Sequence, residues 1–244
     1  MVLLRSLVFY TGLAIATIIF VPLSIILIPL NFPLRFRIIS QWAVFNLWWL
    51  KVVCGLNHVV EGLDNIPDRP VIIMCKHQSA WETLALQKIF PPQVWLLKRQ
   101  LLWIPFFGWG LALLDPIAIK RSQGSKALRQ LLEQGTQRLN TGKWVIIFPE
   151  GTRVAPGQKK QYQKGGAILA EHSGYPVIPV AHNAGEYWPR RGFAKRPGNI
   201  HVIIGPPIET KGRKSGEINQ LAEQWIEGAM DKISASKDLV DATI

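Results

Sequence analysis

Residues 71–90 read VIIMCKHQSAWETLALQKIF. The apolar run Val71-Ile72-Ile73-Met74-Cys75 fits a buried strand. Ser79 then stands where a helix would open, the helical pattern continues through Phe90, and Pro91-Pro92 stops it. A buried strand passing directly into a helix is the repeating unit of an α/β sheet.

Working outward, the alternation continues. Val94 to Leu97 and Ile117 to Ile119 are further strand candidates, and Ser125 to Leu139 is a helix with Leu128, Leu131, Leu132 and Leu139 at helical spacing before Gly142. Trp144-Val145-Ile146-Ile147-Phe148 reads as a strand. Gly165 to Ser173 reads as a short helix closed by Gly174. Val177 to Ala181 and His201 to Ile204 read as strands. Ser215 to Ile233 reads as an amphipathic helix with Leu221, Trp225 and Ile226 inward. The pattern predicts an α/β domain over residues 55–235, a mixed, largely parallel sheet flanked by helices, with a frayed tail at 236–244. No internal repeat, low-complexity linker or second globular domain interrupts it.

The chain has 244 residues, ample for a sizeable core. Lys and Arg number 28 against 16 Asp and Glu, a net charge of +12 that suits nucleic acid, anionic headgroups or phosphorylated substrates. A 48% hydrophobic content and ten tryptophans shift the weight toward a membrane and away from nucleic acid. Residues 6–34 carry no charge, and roughly 20 apolar residues suffice to cross a bilayer as a helix. Arg5 precedes the stretch, and Arg35 and Arg37 follow it, favouring a main domain on the cytosolic face of the inner membrane. Pro22 and Pro29 would kink or break a helix, so a re-entrant hairpin is open beside a span. Ala14-Ile15-Ala16 resembles a signal cleavage site, but apolar sequence runs well past it, which favours an anchor over residues 1–54. The Trp-rich stretch 41–51 fits either headgroup-level rings or a core helix. Cys54 and Cys75 have no C-x-x-C partner or metal-type spacing, so neither a disulfide framework nor a metal site is expected.

His77 falls where the strand ends, the place in α/β sheets where side chains can face a crevice. Imidazole suits proton transfer near neutral pH, and a carboxylate on one ring nitrogen would fix its tautomer. Glu82 is five residues on, roughly 140° away on a continuous helix, so only a turn between them would bring them together. Ser79-x-x-Glu82 is equally a capping box, with Glu82 reaching back to the Ser79 amide. The residues alone favour the capping reading, and the two roles would compete for the same oxygens.

Lys76-His77-Gln78-Ser79 with Glu82 resembles the H-x-x-x-x-D motif of the glycerophospholipid acyltransferases, with Glu82 where that family usually has Asp. Lys98-x-x-Leu101-x-x-x-Pro105-x-x-Gly108 and Ile117-Ala118-Ile119-Lys120-Arg121 resemble its next blocks, with Lys120 where many members have Asp. Phe148-Pro149-Glu150-Gly151-Thr152-Arg153 matches the third block completely, and Ile178-Pro179-Val180 resembles the fourth. The ordered set covers residues about 70 to 185. The resemblance implies His77 as general base oriented by Glu82. Lys98, Arg121 and Arg153 are candidates for a phosphate, since guanidinium forks and ammonium groups recognise it. Gly151 permits a tight turn or close approach to substrate, Thr152 belongs to the same loop, and Glu150 bonds glycerol hydroxyls or braces the loop.

The implied activity is transfer of an acyl chain from acyl-coenzyme A or acyl-carrier protein to the 2-hydroxyl of 1-acylglycerol 3-phosphate at a membrane. No metal, tightly bound cofactor or nucleic acid is implied. Another lysolipid acceptor, such as a lyso-ornithine lipid or lysophosphatidylglycerol, is the neighbouring alternative. A catalytically inactive membrane-anchored lipid-binding protein is the alternative of another class. Cys75 reads as a small buried residue rather than a nucleophile. His182-Asn183, just after the fourth block, is expected to border the site, and the mixed aromatic and basic run 188–196 fits headgroup or nucleotide contact as well as a solvated loop.

Overall fold

The computed structural model describes residues 1–241; the side chains of Arg121 and of residues 235–241 lie outside the described set. Three helices open the chain, α1 Val2–Ile26, α2 Phe32–Ile39 and α3 Gln41–Cys54. Then follow β1 Leu56–Glu61, β2 Ile72–Cys75, α4 Trp81–Ile89, β3 Gln93–Lys98, α5 Phe107–Ala112, β4 Ile117–Ile119 and α6 Ser125–Asn140. The chain continues with β5 Trp144–Ile147, α7 Gly165–Ser173, β6 Val177–His182, α8 Ala184–Tyr187, β7 Gly198–Ile204 and α9 Ser215–Asp241.

The strands form one sheet in the order β1-β7-β6-β2-β5-β3-β4. Strands β6, β2, β5, β3 and β4 run parallel, and the β6–β7 pairing is antiparallel, with β1 parallel to β7. This is the expected mixed, largely parallel sheet. Alternation along each buried strand sends side chains to two cores. Val71, Ile73, Cys75, Trp144 and Ile146 join the cluster shared with α3 and α4, whereas Ile72, Met74, Val145 and Ile147 join the cluster with α6, α7 and α9.

Edge strand β1 escapes the sequence pattern because Asn57 and His58 break its apolar run. It survives through a full register of partners on β7. Helix α9 continues to Asp241, past the Ile233 where the apolar periodicity stops, and residues 242–244 of the expected tail lie outside the described residues.

At the N-terminus, Pro22 sits inside α1 without ending it, and Pro29 falls in the turn that follows. Asn31 then caps α2 by accepting the Leu34 amide at 3.1 Å, with Pro33 in the first helical turn where its missing N–H costs nothing. Helix α3 returns antiparallel to α1: Trp42 Nε1 donates to Thr17 Oγ1 at 3.2 Å, while Cys54 at the other end reaches the Arg5 carbonyl. Gly12 meets the Trp49 indole with no room for a Cβ, so the close crossing depends on that glycine. Of the two readings of the Trp-rich helix, core packing holds for one of its faces. Trp42 and Trp49 pack on the core, and Phe45 and Trp48 face outward. Along α1 the outward stripe of Leu4, Leu7, Ile15, Ile18 and Ile25 is equally apolar, a face that water alone would penalise.

Candidate active site

The sheet places four of the sequence blocks at one edge. His77 follows β2, Phe148–Arg153 follows β5, Lys98 ends β3, and Lys120-Arg121 follows β4. These are the carboxyl ends of four neighbouring parallel strands, where an open α/β sheet has its crevice.

The turn between β2 and α4 brings the dyad together. His77 Nδ1 lies 2.8 Å from Glu82 Oε1. The same oxygen accepts the Gln78 amide at 3.0 Å and the Ser79 amide at 2.9 Å, and Oε2 takes Ser79 at 3.1 Å. The capping and imidazole roles therefore do not compete: the longer glutamate satisfies both at once. Glu82 is fully buried. Burial works to raise its carboxyl pKa, but the His182 and His77 imidazoles and the Ser79 amide outweigh burial, and the net shift is downward.

His182 stands behind the dyad, with Nε2 at 3.9 Å from Glu82 Oε2. The Ala184 amide donates to its Nδ1 at 3.2 Å, so Nε2 carries the proton and donates to the Lys76 carbonyl at 2.8 Å. Burial holds His182 below the ordinary imidazole range, and with both ring nitrogens engaged by backbone groups it has none left to serve as a second base. It backs the site rather than bordering the cavity.

The β5 loop carries the base from the other side. Phe148 stacks on the His77 ring at 3.9 Å between centroids and an 11° angle. The His77 amide donates to Glu150 Oε2 at 2.7 Å, and the His77 carbonyl accepts the Val154 amide at 2.7 Å. Gly151 turns this loop with a φ of 70°, and its amide closes onto the Phe148 carbonyl at 3.0 Å. Of the two roles considered for Glu150, the geometry gives bracing. It is fully buried and ion-paired to Lys76 Nζ at 2.9 Å. Lys76 Nζ also holds Glu227 Oε1 at 2.7 Å, and Tyr162 donates to that oxygen at 3.0 Å. Burial pushes the Glu150 carboxyl up. It also works against the Lys76 ammonium, but Glu150 and Glu227 more than offset this.

A cavity of about 600 Å³ opens in front of His77. Its lining includes the polar or charged Lys98, Thr152, Arg153 and Arg190 with Gly151, and the apolar Leu13, Phe20, Trp42, Leu97 and Leu111 from α1, α3, β3 and α5. With Nδ1 taken by Glu82, Nε2 is the nitrogen His77 has left for this space. The arrangement can remove a proton from a hydroxyl, hold an anion beside it, and shelter an aliphatic chain.

Of the residues expected at the site, His77, Lys98, Gly151, Thr152 and Arg153 line one cavity, Glu82 stands directly behind it, and Glu150 lies beneath. The Arg121 side chain lies outside the described residues. The sequence reading did not find Glu227, Tyr162 or the backing role of His182, which only the folded chain brings to Lys76 and Glu82. Arg190 was visible as part of a basic run, with no linear signal of its place beside Arg153. Cys75 is buried, its thiol pushed well up by desolvation, as suits an inert core residue.

Comparison with known proteins bears on the family and the fold. The family model described as Acyltransferase matches residues 57–183. A 1-acyl-sn-glycerol-3-phosphate acyltransferase of Pseudomonas aeruginosa is 48% identical over 95% of this chain and 92% of its own length. The protein of that name in Saccharomyces cerevisiae is 29% identical over 84% of this chain and 71% of its own. The crystal structure of a 1-acyl-sn-glycerophosphate (LPA) acyltransferase from Thermotoga maritima shares the fold with a TM-score of 0.81, at 24% identity, covering 96% of each chain.

Proposed function

The chain belongs to the acyltransferase family, and we propose that it transfers an acyl chain from an acyl thioester to the 2-hydroxyl of 1-acylglycerol 3-phosphate, giving phosphatidic acid. The names of its relatives support that acceptor over a lyso-ornithine lipid or lysophosphatidylglycerol. The observation that carries the mechanism is the 2.8 Å contact between His77 Nδ1 and the buried Glu82, with Nε2 left for the cavity.

In this scheme His77 Nε2 takes the proton of the free glycerol hydroxyl while Glu82 holds the imidazolium. The oxygen attacks the thioester carbonyl directly. The carbon–sulfur bond then breaks, and the departing thiolate takes the proton back from His77. No acyl-enzyme, metal or resident cofactor enters the scheme. Lys98, Arg121 and Arg153 are the proposed phosphate cations, with Thr152 and the Gly151 turn beside them. Coenzyme A and acyl-carrier protein are both admissible donors.

The reaction belongs at a membrane. Helix α1, Val2–Ile26, is long and apolar enough to cross one, and only 22% of its most apolar window is covered by the rest of the protein. We assign residues 1–54 to anchoring and 55–235 to the acyltransferase domain, facing the cytosol.

The test supplies membranes containing this protein, or its His77→Ala variant, with 1-acylglycerol 3-phosphate and acyl-coenzyme A or, in parallel, acyl-carrier protein. Phosphatidic acid formed by the wild type and lost with His77 is the expected outcome. Substantial turnover in His77→Ala would sink the role of the base.

A further inference from the structure

Lys195 takes no part in the chemistry above, yet it is almost completely buried, at 1% exposure. No carboxylate pairs with it among the described residues. Its ammonium has three N–H donors and meets three oxygens: Tyr10 Oη at 2.7 Å, the Phe193 carbonyl at 2.6 Å and the Gly192 carbonyl at 3.2 Å. The same nitrogen lies 4.4 Å from the Tyr10 ring centre and 4.7 Å from that of Trp188. The Lys195 backbone amide donates to Ser6 Oγ at 2.8 Å, and Ser6 is fully buried. Ser6 and Tyr10 are one helical turn apart, so a single face of α1 receives both ends of this lysine.

Burying an unpaired ammonium costs free energy that a methionine of similar size would not incur. The cation is therefore best explained by the geometry it imposes. Two of its three partners are carbonyls of its own loop, so it curls that loop around itself, and the third ties the curl to α1. At the other end of the loop, Trp188 and Arg190 line the cavity with His77. Arg190 Nη1 donates to the Arg153 carbonyl at 3.1 Å, which leaves most of its guanidinium donors for a ligand.

We infer that Lys195 is a positioning residue that pins the loop 188–195 to α1 and thereby fixes Arg190 beside Arg153 as a further cation for the phosphate of the acceptor. The inference rests on the acceptor reading given above. Both substrates carry phosphate, the acceptor on its glycerol and coenzyme A on its nucleotide, so the two KM values distinguish them: a rise confined to the acceptor places Arg190 at the acceptor phosphate, and a rise in the donor KM places it at coenzyme A instead.

The experiment compares wild type, Lys195→Met, Tyr10→Phe and Arg190→Ala in membranes. KM is measured for 1-acylglycerol 3-phosphate and for the thioester, with kcat and amide hydrogen exchange over residues 188–196. Arg190→Ala and Lys195→Met should raise the acceptor KM about threefold to tenfold, with the donor KM and kcat within about twofold. Lys195→Met should also speed exchange in the loop, and Arg190→Ala should not. Tyr10→Phe keeps every ring and removes one oxygen; it should move the acceptor KM the same way by less, and it carries the test if Lys195→Met fails to accumulate. An unchanged acceptor KM in Arg190→Ala, or acceptor and donor KM rising together in Lys195→Met, overturns the inference. An inactive wild type overturns the acceptor reading first, and this inference with it.

Discussion

The two ends of the polar site are held in opposite ways. At the base, Glu82 accepts an imidazole and two amides while fully buried, and the backbone of His77 is tied to the β5 loop through both its amide and its carbonyl. At the cation end, Lys98 and Arg190 are exposed, Arg153 is half-buried, and a single guanidinium-to-carbonyl bond joins the two arginines. Proton transfer depends on orientation within a fraction of an ångström, so the base is over-determined. A phosphate offers three oxygens to any cation that reaches it, so its partners can ride on loops.

Removing the charge at Glu82 is the sharpest way to break this contrast. Glu82→Gln keeps the shape and an acceptor for the Ser79 amide, but no longer stabilises an imidazolium or fixes its tautomer. We expect kcat to fall on the order of 10³- to 10⁴-fold with the acceptor KM little changed. Steady-state kinetics on the folded variant checks this; a loss confined to KM would place Glu82 in binding instead. Arg153→Ala should do the reverse at smaller scale, raising the acceptor KM about 10- to 100-fold with kcat nearly held. A fall in kcat at saturating acceptor would mean that Arg153 meets charge that develops only in the transition state.

Glu82→Asp ranks next. The shorter carboxylate must give up either the imidazole or the amides unless the turn shifts, so kcat should drop about threefold to tenfold, with a loss of about 1–3 kcal/mol from any buried amide left unpaired. Kinetics together with thermal unfolding separates the two losses. Gain of activity from an inactive wild type would instead favour the lipid-binding alternative.

The same contrast explains what could be read from the linear chain. The buried strands β2 and β5 and the blocks at their ends were legible because apolar runs of four or five residues lead directly into reactive groups. The proximity of His77 and Glu82 was legible only as a possibility, since a regular helix would have kept them apart. Glu227 was not legible: it is 151 residues from Lys76 on an ordinary amphipathic helix, and only the packing of α9 against β6 and α7 delivers it. Lys195 looked like one more surface cation, because nothing in a run of Arg, Lys and aromatic residues reports that one ammonium has turned inward.

Protons give the smallest effects and the last way to sharpen the comparison. The Glu82 carboxyl is held below its ordinary 4.5, so between the two values the unfolded chain binds more protons. Its contribution to stability is complete above the unfolded value and is lost as pH falls through the folded one. Lys195 is pulled down to about 8 by burial, against an ordinary 10.5. Between about 8 and 10.5 the unfolded chain again holds the extra proton, so here too stability rises with pH, now because the buried amine sheds a charge that has no carboxylate partner. Thermal unfolding across pH should therefore show a wild-type acid limb flattened in Glu82→Gln and a wild-type alkaline rise flattened in Lys195→Met, each variant leaving the other limb intact. If Lys195→Met retained the alkaline rise, another group would be its source, and the ammonium would not be held as tightly from water as its three oxygens and two rings require.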